Sequence, residues 1–180
     1  MYYKLNYYMI TINHIIIMCL ICEGKSLEGL EEISVCENVV ILPELPQSLV
    51  SFYCSECPLL QSIPELPRSL KDFYCNHCPL LTTLPELPQS LKELNCSDCP
   101  LTTLPELPQS LKYFYCYECP LLIALPDLPQ SLKYLFCSNC PLLTTISELP
   151  QSLIYFNCSI CPLLTTISEL PQSLIYFNCS

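Results

Sequence analysis

From Leu49 onward the chain repeats itself every 20 or 21 residues, and this period constrains its fold more than anything else in its 180 residues. Units open at Leu49 (LVSFYCSECPLLQSIPELPRS), Leu70, Leu91, Leu111, Leu132 and Leu153, and a truncated copy, LIYFNCS, opens at Leu174. A diverged unit, LEEISVCENVV, starts at Leu30. A unit this short cannot bury an apolar face alone. Neighbours must stack on one another to make a continuous core, so the period predicts a solenoid.

Numbering each unit from its opening leucine, the frame reads L-x-x-F/L-x-C-x-x-C-x-L. In LKYFYCYEC, Leu111, Phe114 and Cys116 are assigned to the buried side of a short strand, and Tyr113, Tyr115 and Tyr117 to the other. Pro126 and Pro129 in LPDLPQS fix φ and remove backbone donors, so this half of the unit should return as an extended or polyproline-like segment with little helix. Strands stacked in register would form a parallel sheet about 4.8 Å apart.

This frame matches the leucine-rich repeat pattern L-x-x-L-x-L-x-x-N/C-x-L, with cysteine at positions 6 and 9. Together with LPELPQS it resembles the short proline-rich class (LPxLPxSL) found in secreted bacterial effectors and in repeat proteins of amoeba-infecting giant viruses. Over residues 30–180, about seven repeats with the last truncated, the resemblance implies a horseshoe solenoid with its sheet on the concave face. It also implies a role in binding a partner protein. Some effectors with similar repeats carry a ubiquitin-ligase domain with a Cys-x-Asp nucleophile. The CSD at Cys96–Asp98 lies inside a repeat strand with its cysteine directed to the core, and the chain ends at Ser180 within a repeat, so no enzymatic activity is expected.

Cys116/Cys119 and Cys137/Cys140 have the spacing of a four-thiolate zinc site. The first unit argues otherwise. In its frame Val35 takes the place of the first cysteine and Asn38 that of the second, and neither could serve a zinc thiolate shell. Buried cysteine packs as a small hydrophobe, so both columns are explained by packing, and no metal or cofactor is expected. A structural zinc-binding or redox-responsive cysteine-rich protein is the alternative. Disulfides are disfavoured because strand neighbours about 4.8 Å apart exceed the usual spacing of bonded Cβ atoms, about 3.5–4.5 Å. Free thiols imply a reducing compartment, cytoplasmic, which includes the cytoplasm of a host cell.

A solenoid presents the residues between the buried ones as one concave face. Position 3 reads Ser51, Asp72, Glu93, Tyr113, Tyr134, Tyr155, Tyr176; position 5 reads Tyr53, Tyr74, Asn95, Tyr115, Phe136, Asn157, Asn178. Position 7 is mostly serine, with Asn76 and Tyr117. The candidate partner-binding residues are Tyr113, Tyr115, Tyr117, Tyr134 and Phe136, flanked by Asp72 and Glu93, because exposed aromatics with a polar rim anchor protein interfaces. The formal charge of −10 repels phosphate, which excludes nucleic acid as the expected partner. Glu44, Glu65, Glu86, Glu106, Asp127, Glu148 and Glu169 stack in the proline-rich return as a solvated edge; calcium would need about six to eight converging oxygens.

The first 29 residues do not fit the repeat and are read as an apolar cap over the first unit, or as a targeting segment. Residues 5–22 are uncharged but interrupted by Asn6, Thr11, Asn13 and His14, which is weak for a membrane span. His14 and His77 have no catalytic set beside them in the sequence. Residues 142–159 recur letter for letter at 163–180, and the last strand is expected to show an open edge that could self-associate.

Overall fold

The computed structural model of the chain describes Ile21, Gly24 and residues 26–180. Eight strands follow in chain order: β1 (Glu32–Ser34), β2 (Ser51–Tyr53), β3 (Asp72–Tyr74), β4 (Glu93–Asn95), β5 (Tyr113–Tyr115), β6 (Tyr134–Phe136), β7 (Tyr155–Asn157) and β8 (Tyr176–Asn178). They form one parallel sheet in that order. Register is kept throughout, so that Glu32, Ser51, Asp72, Glu93 and the four tyrosines of position 3 lie opposite one another.

Each strand is three residues long, yet backbone pairing continues beyond it. Tyr134 and Lys133 both donate to the Lys112 carbonyl, at 3.0 and 2.9 Å, Cys116 donates to Phe136 and Glu118 to Ser138, each at 2.8 Å. The ladder therefore runs from position 2 to position 8. There the chain turns through left-handed backbone, with positive φ at Glu56, His77, Asp98, Glu118, Asn139 and Ile160. Asparagine tolerates that conformation, whereas a β-branched residue such as Ile160 is strained in it.

The core is a stack of columns. In the central unit Leu111, Phe114, Cys116, Cys119 and Leu122 have no exposed surface. Fully burying one such large side chain contributes about 1.5–3 kcal/mol. The leucine of position 11 is outside the core: Leu59, Leu80, Leu121, Leu142 and Leu163 are exposed, and the following residue is the buried one, as at Leu60, Leu81 and Leu143. The reason is a turn in which Leu60 donates to the Cys57 carbonyl at 3.2 Å and Leu81 to Cys78 at 3.0 Å, sending the residue before it outward. The unit from Leu91 is one residue shorter and lacks that outward leucine; its Leu101 is buried.

Between strands the chain returns without a helix, as the prolines predict, with Leu125 and Leu128 turned inward. Each return closes in a Pro-Gln-Ser-Leu or Pro-Arg-Ser-Leu turn, with Leu111 donating to the Pro108 carbonyl at 3.0 Å. Its serine ties one turn to the previous one. Ser69 Oγ bonds the carbonyls of Leu49 (2.6 Å) and Gln47 (2.7 Å), and Ser90, Ser110 and Ser173 repeat the arrangement. The acidic residues of the return are exposed along its edge.

Most of the N-terminal segment 1–29 falls outside the described residues. Of it, Ile21 packs against the core and Leu27 is buried. Among the described residues no helix is long and apolar enough to cross a membrane.

Candidate functional site

The two cysteine columns are the first candidate. In the first, Cys54, Cys75, Cys96, Cys116 and Cys137 are wholly buried, and burial pushes each thiol upward from its ordinary pKa. In the second, each thiol from Cys57 to Cys161 donates to the backbone of the preceding turn. Cys78 reaches the Cys54 carbonyl at 3.1 Å, Cys99 that of Cys75 at 3.1 Å, and Cys140 that of Cys116 at 3.2 Å. A column with this pattern is a polar rung inside the core: the S–H satisfies a carbonyl that water cannot reach.

The first unit requires a correction. Val35 does occupy the first column: it is buried, and its N–H donates to Tyr53 as Cys54 does to Tyr74. Asn38 does not occupy the second, because it is exposed. Cys36 does, since Val39 donates to its carbonyl at 3.2 Å as Leu60 does to Cys57. This unit is two residues shorter at the turn, which moves Cys36 next to Val35 in the stack. Asn38 therefore says nothing about a zinc shell, whereas Val35 puts a side chain with no ligand atom in the first column. All fourteen described cysteines are free thiols, and no group of three or more His, Cys, Asp or Glu among the described residues is placed to hold a metal ion.

The concave face is the second candidate. Tyr113, Tyr115, Tyr117, Tyr134 and Phe136 lie on adjacent turns and are all half-buried. Tyr113 stacks on Tyr134 with centroids 4.9 Å apart, and Tyr115 on Phe136 at 5.3 Å. The ladder continues further than the sequence reading took it: Tyr134 stacks on Tyr155 at 5.0 Å and Tyr155 on Tyr176 at 5.8 Å. The signal was the run of four tyrosines in position 3, which in-register stacking makes one row.

Asp72 and Glu93 are register partners on β3 and β4, and Glu93 in turn faces Tyr113 on β5. Ser51 Oγ donates to Asp72 Oδ2 at 3.0 Å. Tyr53 and Tyr74 stack at 5.0 Å beside these acids. The Tyr74 hydroxyl is pushed well up, first by burial and then by its hydrogen bond and charge contact with Glu93. Burial and the Glu32, Asp72 and Glu93 charges likewise push Tyr53 upward. The N-terminal half of the face thus lies in a negative field, and the C-terminal half is an aromatic row.

Position 7 departs from the expected open face, since Ser97 and Ser159 are buried. On the adjoining rim, His77 Nδ1 lies 2.5 Å from Asp98 Oδ2, both side chains being about half exposed. Glu37, Glu56, His77 and Asp98 line a shallow, open hollow there.

The family model described as Leucine Rich Repeat matches residues 90–111 and 131–153. No curated protein matches the sequence at a significant level. Among solved structures, YopM from Yersinia enterocolitica is 28% identical with a TM-score of 0.70 over 83% of this chain. This chain spans 37% of that YopM chain. The leucine-rich repeat domain of a Shigella effector is 26% identical with a TM-score of 0.64, covering 89% of this chain and 69% of that one. With its register-locked leucine columns and parallel ladder, the chain has the leucine-rich repeat fold, and its repeats are similar to those these bacterial effectors carry.

Proposed function

We propose that the protein is a non-enzymatic binding module that holds a partner protein on its concave face. The observation that supports this most is the aromatic row from Tyr113 to Tyr176, half-exposed on a sheet whose opposite face is fully used by the core. Rigid stacked rings lose little conformational freedom on binding, which is why aromatic anchors dominate protein interfaces. The anchors in this reading are Tyr113, Tyr115, Tyr117, Tyr134 and Phe136, with Asp72 and Glu93 setting the charge of the flank. The free, buried thiols favour a reducing compartment, and the effector relatives favour the cytoplasm of a host cell as that compartment. Carboxylates on the face repel phosphate, which disfavours nucleic acid.

The test replaces Tyr113, Tyr115 and Tyr134 together by Ser and compares affinity capture from native host lysate with the parent chain. These side chains face away from the core, so circular dichroism and melting should stay close to the parent. The expected result is a partner retained by the parent and lost by the variant. A folded variant that retains every captured protein sinks the proposal.

A further inference from the structure

The concave face changes chemistry halfway along, and we infer that its occupant is an extended polypeptide segment carrying arginine or lysine over β2–β4 and apolar side chains over β5–β8. This rests on the concave face being the binding surface. Position 3 reads Glu32, Ser51, Asp72, Glu93 and then four tyrosines, so acid and ring meet at one junction, between Glu93 on β4 and Tyr113 on β5. Rings within the row cover each other's faces. Tyr113 begins it, so one of its faces stacks on Tyr134 and the other turns back toward Glu93. A carboxylate and an uncovered ring face one rung apart, about 4.8 Å, match a guanidinium, which can lie flat on the ring while its N–H groups reach the carboxylate.

The face supplies no cation of its own. Positions 3, 5 and 7 contain no Lys or Arg, and among the described residues none pairs with Glu32, Asp72 or Glu93. The lysines that open the strands, Lys71, Lys92, Lys112 and Lys133, occupy one rim, while the opposite rim carries Glu56, Asp98 and Glu118. The hydroxyls of Tyr53 and Tyr74 are raised first by burial and then by these same carboxylates.

From β2 to β8 the face covers six rungs, about 29 Å. An extended chain at about 3.3–3.6 Å per residue spans that distance in roughly eight or nine residues. Such a segment would cross the strands, its basic side chains over Asp72 and Glu93 and its apolar ones over the tyrosine row.

The experiment selects peptides from a displayed random library on the full chain, then measures individual synthetic peptides by fluorescence anisotropy. Selected peptides should carry basic residues at one end and apolar ones at the other. Their affinity should fall about tenfold on Glu93→Gln, fall again on Asp72→Asn, and weaken as salt rises from about 50 to about 300 mM. Glu106→Gln, an equal change of charge on the return edge, should leave affinity unchanged. Peptides that lack basic residues, that ignore Glu93→Gln and salt, or that respond equally to Glu106→Gln overturn the inference, as does failure to select any. If such peptides still lose affinity in the Tyr113/Tyr115/Tyr134→Ser variant, the concave surface stands and only its cationic partner falls. Peptides indifferent to every one of these variants overturn both.

Discussion

Cys116 and Cys119 are three residues apart, equally buried, and held by different forces. The first belongs to a column where the equivalent residue in β1's turn is Val35, so its thiol is wanted for its size. The second belongs to a column where each S–H from Cys57 to Cys161 finds a carbonyl of the turn before, Cys119 reaching Cys96 at 3.4 Å. The same residue type therefore serves chiefly as an apolar filler in one column, where Cys96 Sγ lies a long 3.7 Å from the Tyr115 carbonyl, and as a hydrogen-bond donor in the next. Burial dominates the upward push on the thiols of the first column, whereas for Cys140 in the second, contact with the Cys119 thiol comes first.

Alkaline pH should have the largest effect. Burial pushes Cys158 up to about 12 from an ordinary 9.0, and Cys54, Cys75, Cys96, Cys116 and Cys137 are raised by the same cause. The unfolded chain gives up these protons from about pH 9 while the folded chain keeps them. Stability is then complete below that pH and falls as pH rises toward 12, by about 1.4 kcal/mol per unit for each buried thiol. Melting followed from pH 7 upward should be flat and then drop steeply; an unchanged melt at pH 11 would mean the columns reach water.

Next, Cys99→Ala removes a donor and leaves the buried Cys75 carbonyl unmet, a cost of about 1–3 kcal/mol in denaturant unfolding. A smaller effect of opposite sign is expected between the columns, where Ile160 holds φ 56°. Ile160→Asn relieves that strain and should stabilise by about 1 kcal/mol, seen as a higher melting temperature. Smallest of all, Cys54→Val places in the first column what Val35 already shows to fit, and should cost less than about 1 kcal/mol. If Cys54→Val proved as damaging as Cys99→Ala, the distinction between the columns would be lost.

The solenoid, its strands and its helix-free return could be read from the sequence because each rests on a signal repeated many times: the leucine period, the two-residue alternation, the prolines. What escaped was set by single turns. The outward leucine of position 11 and the displacement of Cys36 depend on where the chain closes an i→i+3 turn, and the letters alone do not reveal a two-residue deletion there. The serine rungs were invisible for another reason: Ser69 looks like an ordinary turn residue until the Leu49 carbonyl is seen beside it. On the concave face the tyrosine columns were legible, but the uncovered face of Tyr113 and the buried hydroxyl of Ser97 exist only once neighbouring turns are stacked.

The outward leucine of each turn gives the unit slack. Because Leu101 is buried in the unit from Leu91, which lacks it, the columns tolerate a residue more or less at that point without losing step. Copying errors that fall there leave the fold intact, so whole units can be multiplied, as the identical residues 142–159 and 163–180 record, while each new copy is free to vary only in what it displays.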